Sequence, residues 1–560
     1  MSRVCTVAAV TPRVQSATTI TTQAPTEYRR RVSWPVLGAL IGLVLISSVV
    51  HLWALHRDLP LQDVDESIFV RRAVHIADTR DLNPHWFGHP GSTVIYPLAG
   101  LYRAWETVAH HGPFVGAAPE LTTRFREDPT TFYVIGRLWT IALSVGVVPL
   151  LFLLGRRAFN TRVALIAATV WVVLPDPVHF GRIVRTDSAG VFFGLLALWL
   201  CLKLLDEPRI RWCVLAGLSV GLAVASRYFL VALLPGLLVA AIFPHRHALR
   251  SALRAGGIAL ASAFGGFALS TPYFFLDWHA AWRSLHAENE PILGHGGLSP
   301  LGNLRWYLGT AIPASLTWPL VVLSVAGILL ALRRRRPPQL LLLVFSAAFL
   351  VGICASTLHW QRWVIQILPV FVLFAGSAVD TVIARVTTLA ARVPRAWILR
   401  PVGLVAMTAV LVIHPAAELA AVNRSDGKPS TSRAALDWIK THVRPASRLL
   451  IDPSTLITSD NTRREIDNRF SARTDTVAGY RQAGYDYLVV DGLRFGYYAA
   501  RPSRYPHETT LYHDLNCETR LAVVFQTTPT RRGAAVRIYR LDAPPSPAVS
   551  VFCAPRKTTS

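Results

Sequence analysis

The feature that most constrains this chain is a succession of apolar runs, each close to the roughly 20 residues that a helix needs to cross a hydrocarbon layer. They fall at 34–55, 133–154, 163–178, 188–205, 212–225, 227–243, 256–275, 315–332, 339–357, 361–379 and 401–418. In lipid every backbone N–H and C=O must be paired within the protein, so runs of this length and frequency fold as helices. Composition agrees, because 52% of the 560 residues are hydrophobic and only 16% charged, too few charges for a soluble chain. The expected fold class is a mostly α, polytopic membrane protein.

The net charge of +24 would suggest nucleic acid in a soluble protein, so its location decides its meaning. Alternate connections (1–33, 155–162, 203–211, 244–254, 333–338 and 384–400) hold 22 basic residues against three acids. Segment 56–131, between the first two runs, holds seven Arg against ten carboxylates. Basic residues concentrate on the cytoplasmic side of membrane proteins, so this charge reads as orientation and no nucleic-acid partner is expected. The N-terminus is then cytoplasmic, in a multi-pass protein of the cytoplasmic membrane, with residues 1–33 a disordered tail. The first run is too long for a cleaved signal peptide and reads as an anchor.

Three parts follow: the tail, a transmembrane domain over 34–420 with long exterior loops at 56–132 and 276–313, and an extracytoplasmic domain over 421–560. The last reads as a small α/β fold, with a helix at 433–443 and strands at 448–452, 485–491, 521–525 and 535–541. The six cysteines lack CxxC or Cys/His spacing, which excludes zinc-finger and thiol-redox motifs. Cys517 and Cys553 share the exterior domain, where a disulfide would persist, with two unpaired thiols as the alternative.

Chemistry-bearing residues gather at exterior loops. Asp63, Asp65 and Glu66 directly follow the first run and open a helix at 67–77. Asp63 and Glu66 have the spacing of a helix cap, yet a cap uses one carboxylate and three are present. A carboxylate at the membrane boundary suits a general base. Farther on, His85, His89 and Tyr96 lie in a segment rich in aromatics, Pro and Gly; they read as substrate-loop residues or as interfacial polar groups. Arg182, Arg185 and Asp187 precede one run, Arg227 and Tyr228 separate two others, and His359 and Arg362 join another pair. Each Arg alone could snorkel and Asp187 could cap its helix. Together, carboxylates and guanidiniums on one side suit deprotonation of a hydroxyl and release of a phosphate.

The ordered set Asp65-Glu66, His89-Pro90, Tyr96-Pro97, Gly136-Arg137-Leu138, Leu154 to Phe159, Arg182 to Asp187 and Arg362 to Pro369 resembles the GT-C membrane glycosyltransferases. The likeness is nearest to the protein O-mannosyltransferase and aminoarabinose-transferase types and covers roughly 34–380. It implies transfer of a sugar from a polyprenyl-phosphate donor to a glycan, lipid or protein acceptor outside the membrane. It also implies that Asp65 is the base, paired with Glu66, and that Arg182, Arg185, Asp187, Arg227, Tyr228, His359 and Arg362 hold the donor. Gly91 stands where the family often has a second Pro, and Trp363 where a Tyr often follows the Arg. With no compact ligand spacing in the loops, no obligatory metal is expected, although a divalent cation could assist phosphate departure. Two other readings are a transporter or flippase, suggested by the short, interrupted 212–243, and a scaffold presenting 420–560.

Overall fold

The computed structural model describes residues 32–544 apart from 54, 62–64, 111–119, 289–296, 391–395, 459–461, 463–465, 469, 471 and 473–474. Residues 1–31 of the expected tail, Asp63 and Cys553 therefore lie outside the described residues.

All the apolar runs are helical, and the chain is a multi-pass membrane protein. Among the described residues, eight helices are long and apolar enough to cross a membrane: Trp34–Leu52, Thr130–Ala158, Asp187–Asp206, Tyr228–His245, Leu249–Ser270, Pro337–Cys354, Leu368–Leu389 and Ile398–Asp426. Two further pairs are broken spans: Thr161–Val173 with Pro175–Gly181, bent by 63°, and Pro300–Leu316 with Trp318–Arg334, bent by 114°. Each break falls beside a proline, which cannot donate to the helix ladder. The remaining run, Ile210–Ser226, is a shorter apolar helix. Some boundaries move: the run expected at 256–275 is the helix Leu249–Ser270, and Gln361–Gln366 is a separate 3-10 turn, so that the next span starts at Leu368.

Small residues set the closest packing. A Cβ on Gly221 would lie 2.4 Å from the carbonyl oxygen of Ala263, and one on Gly266 would lie 2.6 Å from that of Leu218. Helices Ile210–Ser226 and Leu249–Ser270 thus touch backbone to backbone, the contact that small residues permit between helices in lipid. The short helix is held in place by this contact.

At one end of the bundle, helices Glu66–Thr79 and Ser92–His110 form a platform with a core of its own, built from Phe69, Val70, Val94, Leu98, Tyr102 and Phe132. At the opposite end Arg157 pairs with Asp206 at 2.6 Å, and Arg162 with Asp380 at 2.8 Å.

The C-terminal part is a five-stranded sheet of order β2-β1-β3-β5-β4, with β1 Leu449–Ile451, β2 Ile466–Asp467, β3 Tyr487–Asp491, β4 Arg520–Phe525 and β5 Val536–Arg540. β2, β1 and β3 run parallel; β5 is antiparallel to β3 and β4. Strand alternation supplies both faces: Leu449, Ile451, Val489 and Ile538 pack on the Thr431–His442 helix. Leu450, Leu488, Val490 and Tyr539 pack on the other side with Tyr512 and Leu515. Cys517 is disulfide-bonded. The strand expectations at 448–452, 485–491, 521–525 and 535–541 match β1, β3, β4 and β5; the two-residue β2 carries too little pattern to foresee.

Charge docks this sheet on the platform end. Arg57 pairs with Asp426 at 2.8 Å, Arg532 bonds Asp58, and Arg433 donates to the Leu59 carbonyl at 2.8 Å.

Gly221→Leu forces apart two helices in backbone contact and should destabilise by about 1–3 kcal/mol, as overpacking does. Gly257, whose Cβ would meet nothing within 4 Å, supplies the comparison. Thermal unfolding in detergent should show a lowered midpoint for Gly221→Leu and no change for Gly257→Leu.

Candidate functional site

The site begins where the first span hands over to the platform. Glu66, with no exposure, opens the helix Glu66–Thr79, and its carboxylate forms a bidentate pair with Arg137 at 2.9 and 2.8 Å. It also accepts from the Val184 N–H at 2.9 Å, while Arg137 donates to the carbonyls of Leu55 and Arg57 at 2.9 and 3.0 Å. Glu66 therefore ties together the end of the first span, the Thr130–Ala158 helix and the 182–186 loop. Its oxygens are spent on that structure.

Asp65, one residue earlier, makes no capping bond despite its N-cap position. Its Oδ2 instead accepts from the Arg185 guanidinium and lies 3.4 Å from Arg362 Nη1. Arg185 also reaches Asp187 at 3.1 Å, Arg227 bonds the same Asp187, and Gln366 donates to the Asp187 carbonyl at 3.3 Å. Asp65, Arg185, Asp187, Arg227 and Arg362 thus form one continuous charged cluster drawn from four separated stretches of chain. Arg362 stacks over Trp360 at 4.6 Å, and Gly190 leaves the room Arg227 needs, since a Cβ there would lie 3.1 Å from Arg227 Cγ.

The other candidates distribute around this cluster. Tyr228 donates to the Phe87 carbonyl at 2.9 Å, and His89, Trp86, Tyr96, Tyr228 and Thr271 line one small pocket. Tyr96 donates to the Leu82 carbonyl at 3.0 Å, and burial raises its phenol to about 12. His89 lies 3.6 Å from a Glu288 oxygen. Burial, with the charges of Arg227 and Arg362, pushes its imidazole down to about 3. His359 is buried beside Trp306 at 4.6 Å between ring centroids. His85 sits apart on the rim, 2.9 Å from Asp81. Arg182 points away: it donates to the Val50 carbonyl at 2.6 Å and lies 3.7 Å from Asp426, on the path to the C-terminal sheet.

Sequence reasoning noted Arg137 only within the ordered set, with no role or partner, and missed Glu288. Arg137 sits inside an apolar helix, a costly place for a charge that signals a buried partner. Glu288 carries no such signal; it reaches His89 from a distant connection.

Residues 110–269 match the model of the dolichyl-phosphate-mannose-protein mannosyltransferase family. The fold is the GT-C fold of membrane glycosyltransferases. Among solved structures, the oligosaccharyltransferase of Archaeoglobus fulgidus superposes with a TM-score of 0.54 at 14% identity, covering 87% of this chain and 73% of that one. ArnT from Cupriavidus metallidurans, bound to undecaprenyl phosphate, superposes with a TM-score of 0.51 at 14% identity, covering 94% of this chain and all of that one. No curated protein sequence matches.

Glu66→Gln and Arg137→Gln each break a buried bidentate ion pair by removing one charge, at a cost of about 3–5 kcal/mol. Unfolding midpoints in detergent should fall sharply for either. His89 binds a proton in the unfolded chain below pH 6.5 but in the folded chain only near pH 3. Its contribution to stability is therefore complete above pH 6.5 and is lost as pH falls toward 3. His89→Asn should flatten the pH dependence of the unfolding midpoint across that window.

Proposed function

We propose that this protein is a glycosyltransferase that moves a sugar from a polyprenyl-phosphate donor to an acceptor hydroxyl or phosphate on the extracytoplasmic side. The observation that carries the reading is the Asp65 carboxylate held against Arg185 and Arg362, which come from two separate loops at one end of the bundle. That arrangement pairs a base with guanidiniums suited to phosphate.

In this reading the donor's phosphate lies at headgroup level and is bound by Arg185, Arg227 and Arg362. Drawing Arg185 and Arg362 onto the phosphate frees Asp65 from its ion pairs. Asp65 then takes the proton of the acceptor as its oxygen attacks the anomeric carbon, and the guanidiniums offset charge developing on the departing phosphate. Asp187 positions Arg185 and Arg227, and Glu66 positions Asp65 itself without touching substrate. The guanidiniums supply the charge a cation would supply, so no obligatory metal enters the step. The acceptor, a glycan, lipid or protein, enters past His89, Tyr96 and Tyr228.

The same reading places the N-terminus in the cytoplasm and the sheet domain outside the cytoplasmic membrane. Support comes from the basic clusters at the end of the bundle opposite the site. A transporter would place such charges near the midplane within interrupted helices.

The test is transfer in membrane vesicles from a panel of radiolabelled polyprenyl-phosphate sugars. Asp65→Asn should lower turnover by about 10²–10⁴-fold, the usual worth of a positioned base, with an unchanged unfolding midpoint. Transfer as fast as the parent's would remove Asp65 from the mechanism.

A further inference from the structure

Outside the Asp65 cluster, a second set of ionisable side chains converges on the platform rim. His75, Asp81 and His85 each offer a ligand atom, and the three atoms lie within 4.8 Å of one another. Asp81 and His85 are four residues apart, but the helix has already ended at Thr79, so the turn that follows brings the three together. Arg80 ends the platform helix in the left-handed conformation at φ 63°. Thr79 Oγ1 then accepts from the Asp81 N–H, Asp81 Oδ1 from that of Asn83, and Asn83 Oδ1 from that of His85, at 3.1, 2.9 and 2.9 Å. The chain coils back, and the His75 and His85 rings meet edge-on at 6.3 Å.

A fourth group comes from a distant segment. His85 Nε2 faces Asp81 Oδ2 at 2.9 Å, while its Nδ1 lies 3.9 Å from Asp277 Oδ2. Asp277 is itself held, accepting from Asn83 Nδ2 at 2.9 Å and capping the helix Trp278–Ala287 through the Ala280 N–H at 3.3 Å. A held carboxylate 3.9 Å from the second nitrogen is one small side-chain rotation from the hydrogen bond by which outer carboxylates orient metal-bound imidazoles.

We propose that His75, Asp81 and His85 bind one divalent transition-metal cation, Zn²⁺ fitting best, with Asp277 orienting His85. Two imidazole nitrogens and one carboxylate oxygen are a zinc donor set, whereas Ca²⁺ and Mg²⁺ prefer oxygen alone. Zinc bonds of about 2.0–2.2 Å set the donor atoms closer together than 4.8 Å, a contraction that exposed side chains make by rotation. Water completes the coordination. The ion fastens the end of the platform helix and the loop leading to Trp86, Phe87 and His89, and through Asp277 engages the segment carrying Glu288. Its role is to fix the path of a loop that lines the pocket, and no transfer step runs through it. A plain His85–Asp81 surface pair requires neither His75 nor Asp277.

The test uses full-length, untagged protein in lipid nanodiscs, stripped with chelator and titrated with Zn²⁺ by calorimetry, and with Co²⁺ followed by its visible d–d absorption. The expected result is one equivalent per chain, Co²⁺ bands displaced by Zn²⁺, and a Zn²⁺-dependent rise in unfolding midpoint. His75→Ala and His85→Ala should each weaken binding by about 100-fold and Asp277→Asn by about 10–100-fold. The metal-free midpoints of His75→Ala and His85→Ala should match the metal-free parent, since both histidines are exposed. Absence of stoichiometric binding, or equal binding by the His75→Ala/His85→Ala double variant, would overturn the assignment.

Discussion

The buried pair between Glu66 and Arg137 is the constraint on which the site depends. Two full charges removed from water are tolerable only where geometry is bidentate and the remaining donors and acceptors are used. Here Glu66 takes three N–H donors and Arg137 adds two backbone carbonyls. The pair thereby clamps the first span, the platform helix, the Thr130–Ala158 helix and the loop before Asp187 at one point. Because Glu66 also holds the Val184 N–H, it fixes the loop whose next residue, Arg185, bonds Asp65.

The two carboxylates illustrate how environment divides roles between neighbours in sequence. Glu66 has no exposure and no free oxygen, which suits a structural post. Asp65 is 27% exposed and meets its guanidiniums at the mouth of the bundle, where a ligand can compete for them. Arg182 and Arg185 divide in the same way: one turns to Val50 and Asp426 and helps join the sheet domain to the bundle, the other turns to Asp65.

Much of the fold was legible in the sequence because a membrane leaves few choices. Apolar runs must be helices, and the short apolar segments within 485–491 and 535–541 read as strands between turns. Legibility failed where the pattern was short or where packing replaced periodicity. The 3-10 turn at 361–366 joins the following span without a break in which Trp363, Val364 and Ile365 could be told from its first turn, and two-residue β2 has no alternation to read. The break at Thr317 was hidden within a region expected to span simply.

At the site, the sequence by itself determined which residues could do chemistry: the acids after the first span and the arginines at loop ends, charges too costly to place there without partners. Only the tertiary structure decided the partners. Nothing in the order of residues says that Arg185 takes Asp65 while Arg182 takes Asp426, that Glu288 reaches His89, or that His75 and His85 face each other across a coiled turn. Pairing energies depend on distance and burial, and these arise only when helices distant in the chain pack at fixed separations.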